Sequence, residues 1–189
     1  MLVTYIRSSS YNNYDYCQQQ YFINYVLGHP TTSGKKAQMG TIVHKVMECL
    51  AACKKQIQDA PSSSLMSITD DAIGTVTFTK SRLMSEEFVD DIVDKSFEHY
   101  TSNCTHSYTK KDKNDCRKWS WMALEYNKGQ FDPRLRDIVA TEPHFDIPIE
   151  EDWAEYEYQT PDGSTLKGRL AVKGTIDLVT RVDDGIIAV

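Results

Sequence analysis

Three residues in this sequence have side chains suited to metal-ion chemistry: His44, Glu142 and Asp177. One imidazole and two carboxylates make an oxygen-rich ligand set, which suits Mg2+ or Mn2+ better than Zn2+. Asp177 stands between Ile176 and Leu178, in a stretch that reads as a strand. An ionised carboxylate among such neighbours needs a metal, a basic residue or backbone donors. The ordinary readings stand beside this one. Asp177 also fits a solvent-facing edge strand, His44 a satisfied histidine and Glu142 an exposed acid. Spacing alone does not join the three.

The five cysteines, Cys17, Cys49, Cys53, Cys104 and Cys116, form no CxxC pair, and their odd number argues against a disulfide framework. Cys49 and Cys53 lie one helical turn apart. Two thiolates do not close a four-ligand site, and free cysteine usually packs as a small buried hydrophobe.

Several elements must position the candidate residues. The clearest is a helix over 40–57, with Val43, Val46, Leu50, Cys53 and Ile57 as its apolar stripe and His44 and Glu48 four apart on a neighbouring face. Residues 8–27 carry Tyr14, Cys17, Tyr21 and Tyr25 at helical spacing, stopped by Gly28, His29 and Pro30, with a loop over 30–36. Residues 65–137 read as mostly helical. Ser85 with Glu86 and Glu87 opens one helix, and Gly129 and Pro133 close another. The period then changes. Residues 138–149 are strand-like and hold Glu142, and 156–158 and 166–170 flank the hairpin signal Pro161-Asp-Gly163. Residues 172–182 form a strand containing Asp177. Asp183-Asp184-Gly185 turns the chain into an apolar run, 186–189, that reads as a strand buried on both faces. A chain terminus inside such a strand is costly, so further sequence is expected beyond Val189.

Three segments, in order, resemble the RecB-like branch of the PD-(D/E)XK nucleases. Residues 10–28 resemble its N-terminal motif of Ser, Tyr, Cys and aromatics. Gly40-Thr-Ile-Val-His44 resembles its Gly-x-x-x-His helix, and Gly174-Thr-Ile-Asp177 its Gly-x-Ile-Asp strand. CRISPR-associated, AddB-like and phage exonucleases share this pattern. The resemblance implies an α/β fold of the restriction-endonuclease-like type, a mixed sheet flanked by helices. Residues 1–60 would hold the N-terminal helices and His motif, 65–137 a helical insertion and 138–189 the start of the core sheet. It implies Mg2+ or Mn2+ held by His44 and Asp177, with Glu142 as a further ligand, and His44 and Asp177 as catalytic residues. The substrate would be DNA, cut by exonuclease action in recombination, repair or phage DNA metabolism. The family's acidic-x-Lys does not follow Asp177, so the chain by itself is expected to be inactive. The alternative is a catalytically inactive nuclease-like module that binds DNA or a partner. In some relatives a cysteine at the place of Cys17 joins a 4Fe–4S cluster, and in others it is structural.

Composition is compatible with this reading. Apolar residues make up 40% and charged residues 25%, ordinary for a globular protein. No long apolar run or signal peptide is evident, which places the chain inside a cell; the resemblance implies the cytoplasm of a bacterial cell or phage-infected host. The net charge of −6 argues against wrapping DNA by charge alone. Lys110, Lys111 and Lys113 with Arg117, Trp119 and Trp121 read either as a single-strand contact or as a solvated helix start over buried tryptophans.

Overall fold

The computed structural model describes residues 4–29, 34–102, 104–182 and 185–188. In chain order the elements are β1 (Tyr5–Ile6), α1 (Ser8–Tyr16), α2 (Gln18–Tyr21), a π-helical turn (Phe22–Val26), α3 (Lys35–Asp59), β2 (Met66–Asp70), β3 (Gly74–Phe78), α4 (Lys80–Leu83), α5 (Glu86–Ser102) and α6 (Lys110–Gly129). There follow β4 (Asp137–Thr141), β5 (His144–Pro148), β6 (Glu155–Gln159), β7 (Thr165–Arg169), β8 (Ala171–Thr175), β9 (Leu178–Val182) and β10 (Gly185–Ala188). This is the expected α/β class, with the strands divided among small sheets. The chain forms two compact units: residues 33–143 with 177–189, and residues 1–32 with 144–176.

The unit of residues 33–143 and 177–189 is built on α3. Its Met39, Ile42, Val46, Cys49, Leu50 and Cys53 are buried at helical spacing, so one stripe faces the core. Val46, Leu50 and Cys53 pack with Val76 and Phe78 of β3, Leu83 of α4, Phe88 and Ile92 of α5 and Leu124 of α6. Met39 and Ile42 pack with Phe97 and Cys116. The start of α5 is fixed by the Ser85 hydroxyl, which accepts from the Phe88 N–H at 3.2 Å. Glu86 and Glu87 in the first turn suit the helix dipole. A capping box between Thr109 and Asp112 starts α6. Strands β10-β9-β4 form an antiparallel sheet. The Gln58 amide ties α3 to β4, accepting from Ile138 N–H at 2.8 Å and donating to Ile138 C=O at 3.1 Å.

In the other unit β1 pairs parallel and β5 antiparallel to β8, giving a mixed sheet, and β6 and β7 form the hairpin expected around Pro161-Asp-Gly163. Glycines make room for cross-strand aromatics there. A Cβ on Gly174 would stand 2.6 Å from the Phe145 ring.

Residues 65–137 are mostly helical, as expected, with the β2–β3 hairpin among the helices. Three expectations are corrected. Residues 138–149 are two strands broken at Glu142 and Pro143. Residues 172–182 are likewise two strands, and Asp177 lies in the break, not inside a strand. Residues 8–27 are three short helical pieces parted at Cys17. Residues 30–33 of the expected loop, Pro30 among them, lie outside the described residues, and Lys35 and Lys36 already belong to α3. The turn at Asp183 and Asp184 and the side-chain burial expected over 186–189 also lie outside what is described.

Candidate metal centre

His44 lies on α3 between buried Ile42 and buried Val46, turned to the exposed flank of the helix. Glu48, four residues on, shares that flank. Glu142 follows the last residue of β4, and Asp177 precedes the first residue of β9. Thr141 and Leu178 are cross-strand partners. One step outward, where the ladder ends, Glu142 and Asp177 are therefore neighbours, and the Glu142 N–H donates to the Asp177 carbonyl at 3.3 Å. Glu142 is held at φ +52°. That conformation is uncommon for a residue with a Cβ, and doubly so before a proline, which pushes its predecessor toward extended backbone.

This strand end meets the helix flank. His44 Nε2 is 3.2 Å from Asp177 Oδ1 and 3.6 Å from Glu142 Oε1. Ligand atoms of His44, Glu48 and Glu142 all lie within 4.8 Å of one another, and among the described residues no other such group of three or more His, Cys, Asp or Glu is found. The structure thus brings together all three residues singled out in the sequence. The compact triangle uses Glu48, however, with Asp177 set against its His44 corner. The side chains are open, His44 at 44%, Glu142 at 36% and Asp177 at 62% exposure, so a substrate can reach them.

The set fits one hard divalent cation. Oxygen ligands lie about 2.0 to 2.6 Å from Mg2+ or Ca2+, so the ligands of one ion are at most about 5 Å apart. Three carboxylates beside a single imidazole give the concentrated negative charge that a divalent cation would neutralise. Glu48 is held from behind by Lys45, whose Nζ donates to Glu48 Oε1 at 2.8 Å and to Asp70 Oδ2 at 2.9 Å. Burial pulls the Lys45 ammonium down, but the Glu48 and Asp70 carboxylates outweigh it and raise its pKa above the ordinary lysine value. Burial likewise works against Asp70, yet the Lys45 bond and the Ala72 and Ile73 N–H donors carry its carboxyl below the usual range.

Glu48, which the sequence places four residues from His44 on one helix face, is the one cluster member not named as a ligand there. The cysteines lie elsewhere. Burial pushes the thiols of Cys53 up to about 12 and Cys116 up to about 11, and raises Cys49 as well, so they are inert core groups. Cys17 caps the C-terminal end of α1. In the basic segment, Lys113 and Arg117 are paired with Asp94 at 3.1 and 2.8 Å, and the Trp121 indole donates to Asp90 at 3.3 Å. These are helix-to-helix ties between α5 and α6.

No helix among the described residues is long and apolar enough to cross a membrane. No curated protein and no solved structure matches the chain. A model of the PD-(D/E)XK nuclease superfamily matches residues 8–189. The chain therefore belongs to the PD-(D/E)XK nuclease superfamily.

Proposed function

We propose that this chain carries the metal centre of a DNA nuclease, in which His44, Glu48, Glu142 and Asp177 hold Mg2+ or Mn2+ beside a phosphodiester. The observation that carries this reading is the convergence of residues 98 and 133 positions beyond His44 onto its Nε2, at 3.6 and 3.2 Å. Bound there, the ion supplies Lewis-acid polarisation of the phosphate and activation of water. The chain's own residues set the stage. Lys45 fixes the Glu48 carboxylate, the end of the β4–β9 ladder fixes Glu142 and Asp177, and the exposure of the cluster leaves a face for DNA. The acidic balance of the chain makes metal, not surface charge, the natural bridge to phosphate. Action on DNA ends, in recombination, repair or phage DNA metabolism within a bacterial cytoplasm, accords with the motif order of the RecB-like branch.

The alternative reading is a nuclease-like module that binds DNA without cutting it. Both readings are tested by titrating Mn2+ into the protein and counting bound ions by electron paramagnetic resonance. The wild type should take up Mn2+, and His44→Ala or Asp177→Ala should each weaken binding at least about tenfold. Equal Mn2+ binding by wild type and both variants would discard the metal centre. DNA binding that survives EDTA, with no Mn2+-dependent cleavage, would select the second reading.

A further inference from the structure

Beside the cluster, in the same unit, lies a cavity of about 160 Å3 whose rim includes His44, Glu48 and Asp177. Its walls are apolar: Met47, Ala51, Phe131, Pro133 and Leu178. An apolar cavity of roughly 150 Å3 accommodates a benzene ring, so this one has the size for a single planar ring. Phosphate has no place in it, because the walls offer no cation and the rim is acidic. The flat, weakly polar part of a nucleotide is its base.

Phe131 supplies the stacking surface. It is 37% exposed and lies on Tyr126 with the two rings 13° from parallel and 5.3 Å apart, and Tyr126 is itself 59% exposed. The backbone that presents this pair is strained. Asn127, Lys128 and Gly129 have φ of 45°, 59° and 81° in succession, and two of them carry a Cβ. Such conformations persist only where the surroundings impose them, and they gather at working sites. Here the surroundings are visible. The Arg136 guanidinium donates to the carbonyls of Gln130 at 3.0 Å and Gly129 at 3.2 Å. Immediately after Phe131, Asp132 and Arg134 form a buried pair at 2.8 Å, with the guanidinium over the Trp121 ring. Phe131 is therefore pinned on both sides, and a surface fixed in advance loses little freedom on binding.

From this geometry we infer that the Phe131 pocket is a nucleobase subsite, which stacks one base of a single-stranded DNA end and so sets its neighbouring phosphate over the His44 cluster. The inference rests on the nuclease reading of the same site and adds the residue that positions the strand. A base can enter only when it is unpaired, so the pocket favours frayed or single-stranded termini over intact duplex.

The test uses the full 189-residue chain, Ca2+ in place of Mn2+, and short single-stranded oligonucleotides carrying one 2-aminopurine moved along the strand. Fluorescence should be quenched on binding at one position and not at the others. Phe131→Ala and the better-filled Phe131→Leu should both lose that quenching and weaken binding roughly five- to a hundredfold, the range of one base–aromatic stack. Phe131→Trp should keep both. An abasic site at the quenched position should weaken binding to the wild type and cost nothing further with Phe131→Ala. Wild-type affinity in both Phe131→Ala and Phe131→Leu, or an abasic penalty that persists in Phe131→Ala, would overturn the pocket. Unaltered Mn2+ uptake in those variants would show the metal centre standing without it. Dependence on Phe131 without Mn2+ uptake by the wild type would instead remove the metal centre and keep the base pocket.

Discussion

At the scale of the residue, Glu142 concentrates the logic of the site. Its left-handed backbone and following proline are costly, and its carboxylate stands among others of the same sign. The charge penalty and the strain due to the Cβ disappear in Glu142→Gly, since glycine adopts φ +52° without steric cost. Despite the greater chain entropy that glycine brings to the unfolded state, this variant should unfold at a higher urea concentration in EDTA, by about 1 kcal/mol, while losing Mn2+ affinity. A destabilised glycine variant would show that Glu142 is placed there for structure and not for a ligand. The identities of the three candidate residues were legible in the sequence because they sit in recognisable motifs. Their convergence was not, since no local pattern brings residue 44 to residues 142 and 177. Glu48 could have been found from its place one turn after His44. The strained backbone of Glu142 had a sequence cause in Pro143, which a reading of 138–149 as one strand passed over.

At the scale of the element, the β2–β3 hairpin is locked to α3 by one ion pair that also steadies the site. Asp70 opens the turn by accepting from the N–H groups of Ala72 and Ile73 at 2.8 and 3.3 Å, and it reaches back to Lys45. In Asp70→Asn the side-chain oxygen can still hold the turn, so the variant isolates the charge. The two side chains are 15% and 20% exposed, between the surface and buried regimes, and the loss should be about 1 to 2 kcal/mol at neutral pH. The carboxyl is depressed in the folded state, so its contribution is present above the unfolded value of about 4. It is lost as pH falls through the lower folded value. Lys45 is raised, and its share is lost only above the ordinary lysine range. The deficit of Asp70→Asn should hence be constant from about pH 5 to 9 and shrink below about pH 4, as denaturant midpoints would show. A deficit that persists unchanged into acid would assign the effect to the turn. This hairpin was the element least legible in the sequence. Its apolar positions, Met66, Ile68, Val76 and Phe78, do alternate, but its loop, residues 71–73, carries no two-residue turn signal, and its cue is the single Gly74 at φ +67°. The 155–169 hairpin, with Pro161-Asp-Gly163, was plain for that reason. Helix α3 was plain because an apolar stripe of about four turns, Val43 to Ile57, needs no partner to be recognised. The breaks at Glu142 and Asp177 were hidden because hydropathy continues across them while the backbone changes direction.

At the scale of the whole molecule, buried apolar residues are distributed unequally. Among the described residues, all buried hydrophobics except Ala154 and Ala171 belong to the unit of residues 33–143 and 177–189. Free energy of opening follows buried apolar contact, so the slowest amide exchange should lie in α3 and α5, and faster exchange in residues 144–176. The proposed metal ligands all belong to the unit with the larger core, on the flank of α3 and just beyond the paired ends of β4 and β9. An ion that binds the folded form alone stabilises it by about 2.7 kcal/mol at a hundred times its dissociation constant. If His44, Glu48, Glu142 and Asp177 hold the ion, that gain should appear as slower exchange in α3, β4 and β9. Exchange over residues 144–176 should stay as it was, and His44→Ala should erase the difference. Mn2+ that slowed both units alike, or slowed exchange equally in His44→Ala, would place its binding elsewhere. The insertion of residues 144–176 between two ligands then has a physical consequence. Glu142 and Asp177 meet because β4 and β9 pair, whatever lies in the sequence between them, and so the proposed metal centre takes its rigidity from α3, that ladder and the Lys45–Asp70 tie to the β2–β3 hairpin.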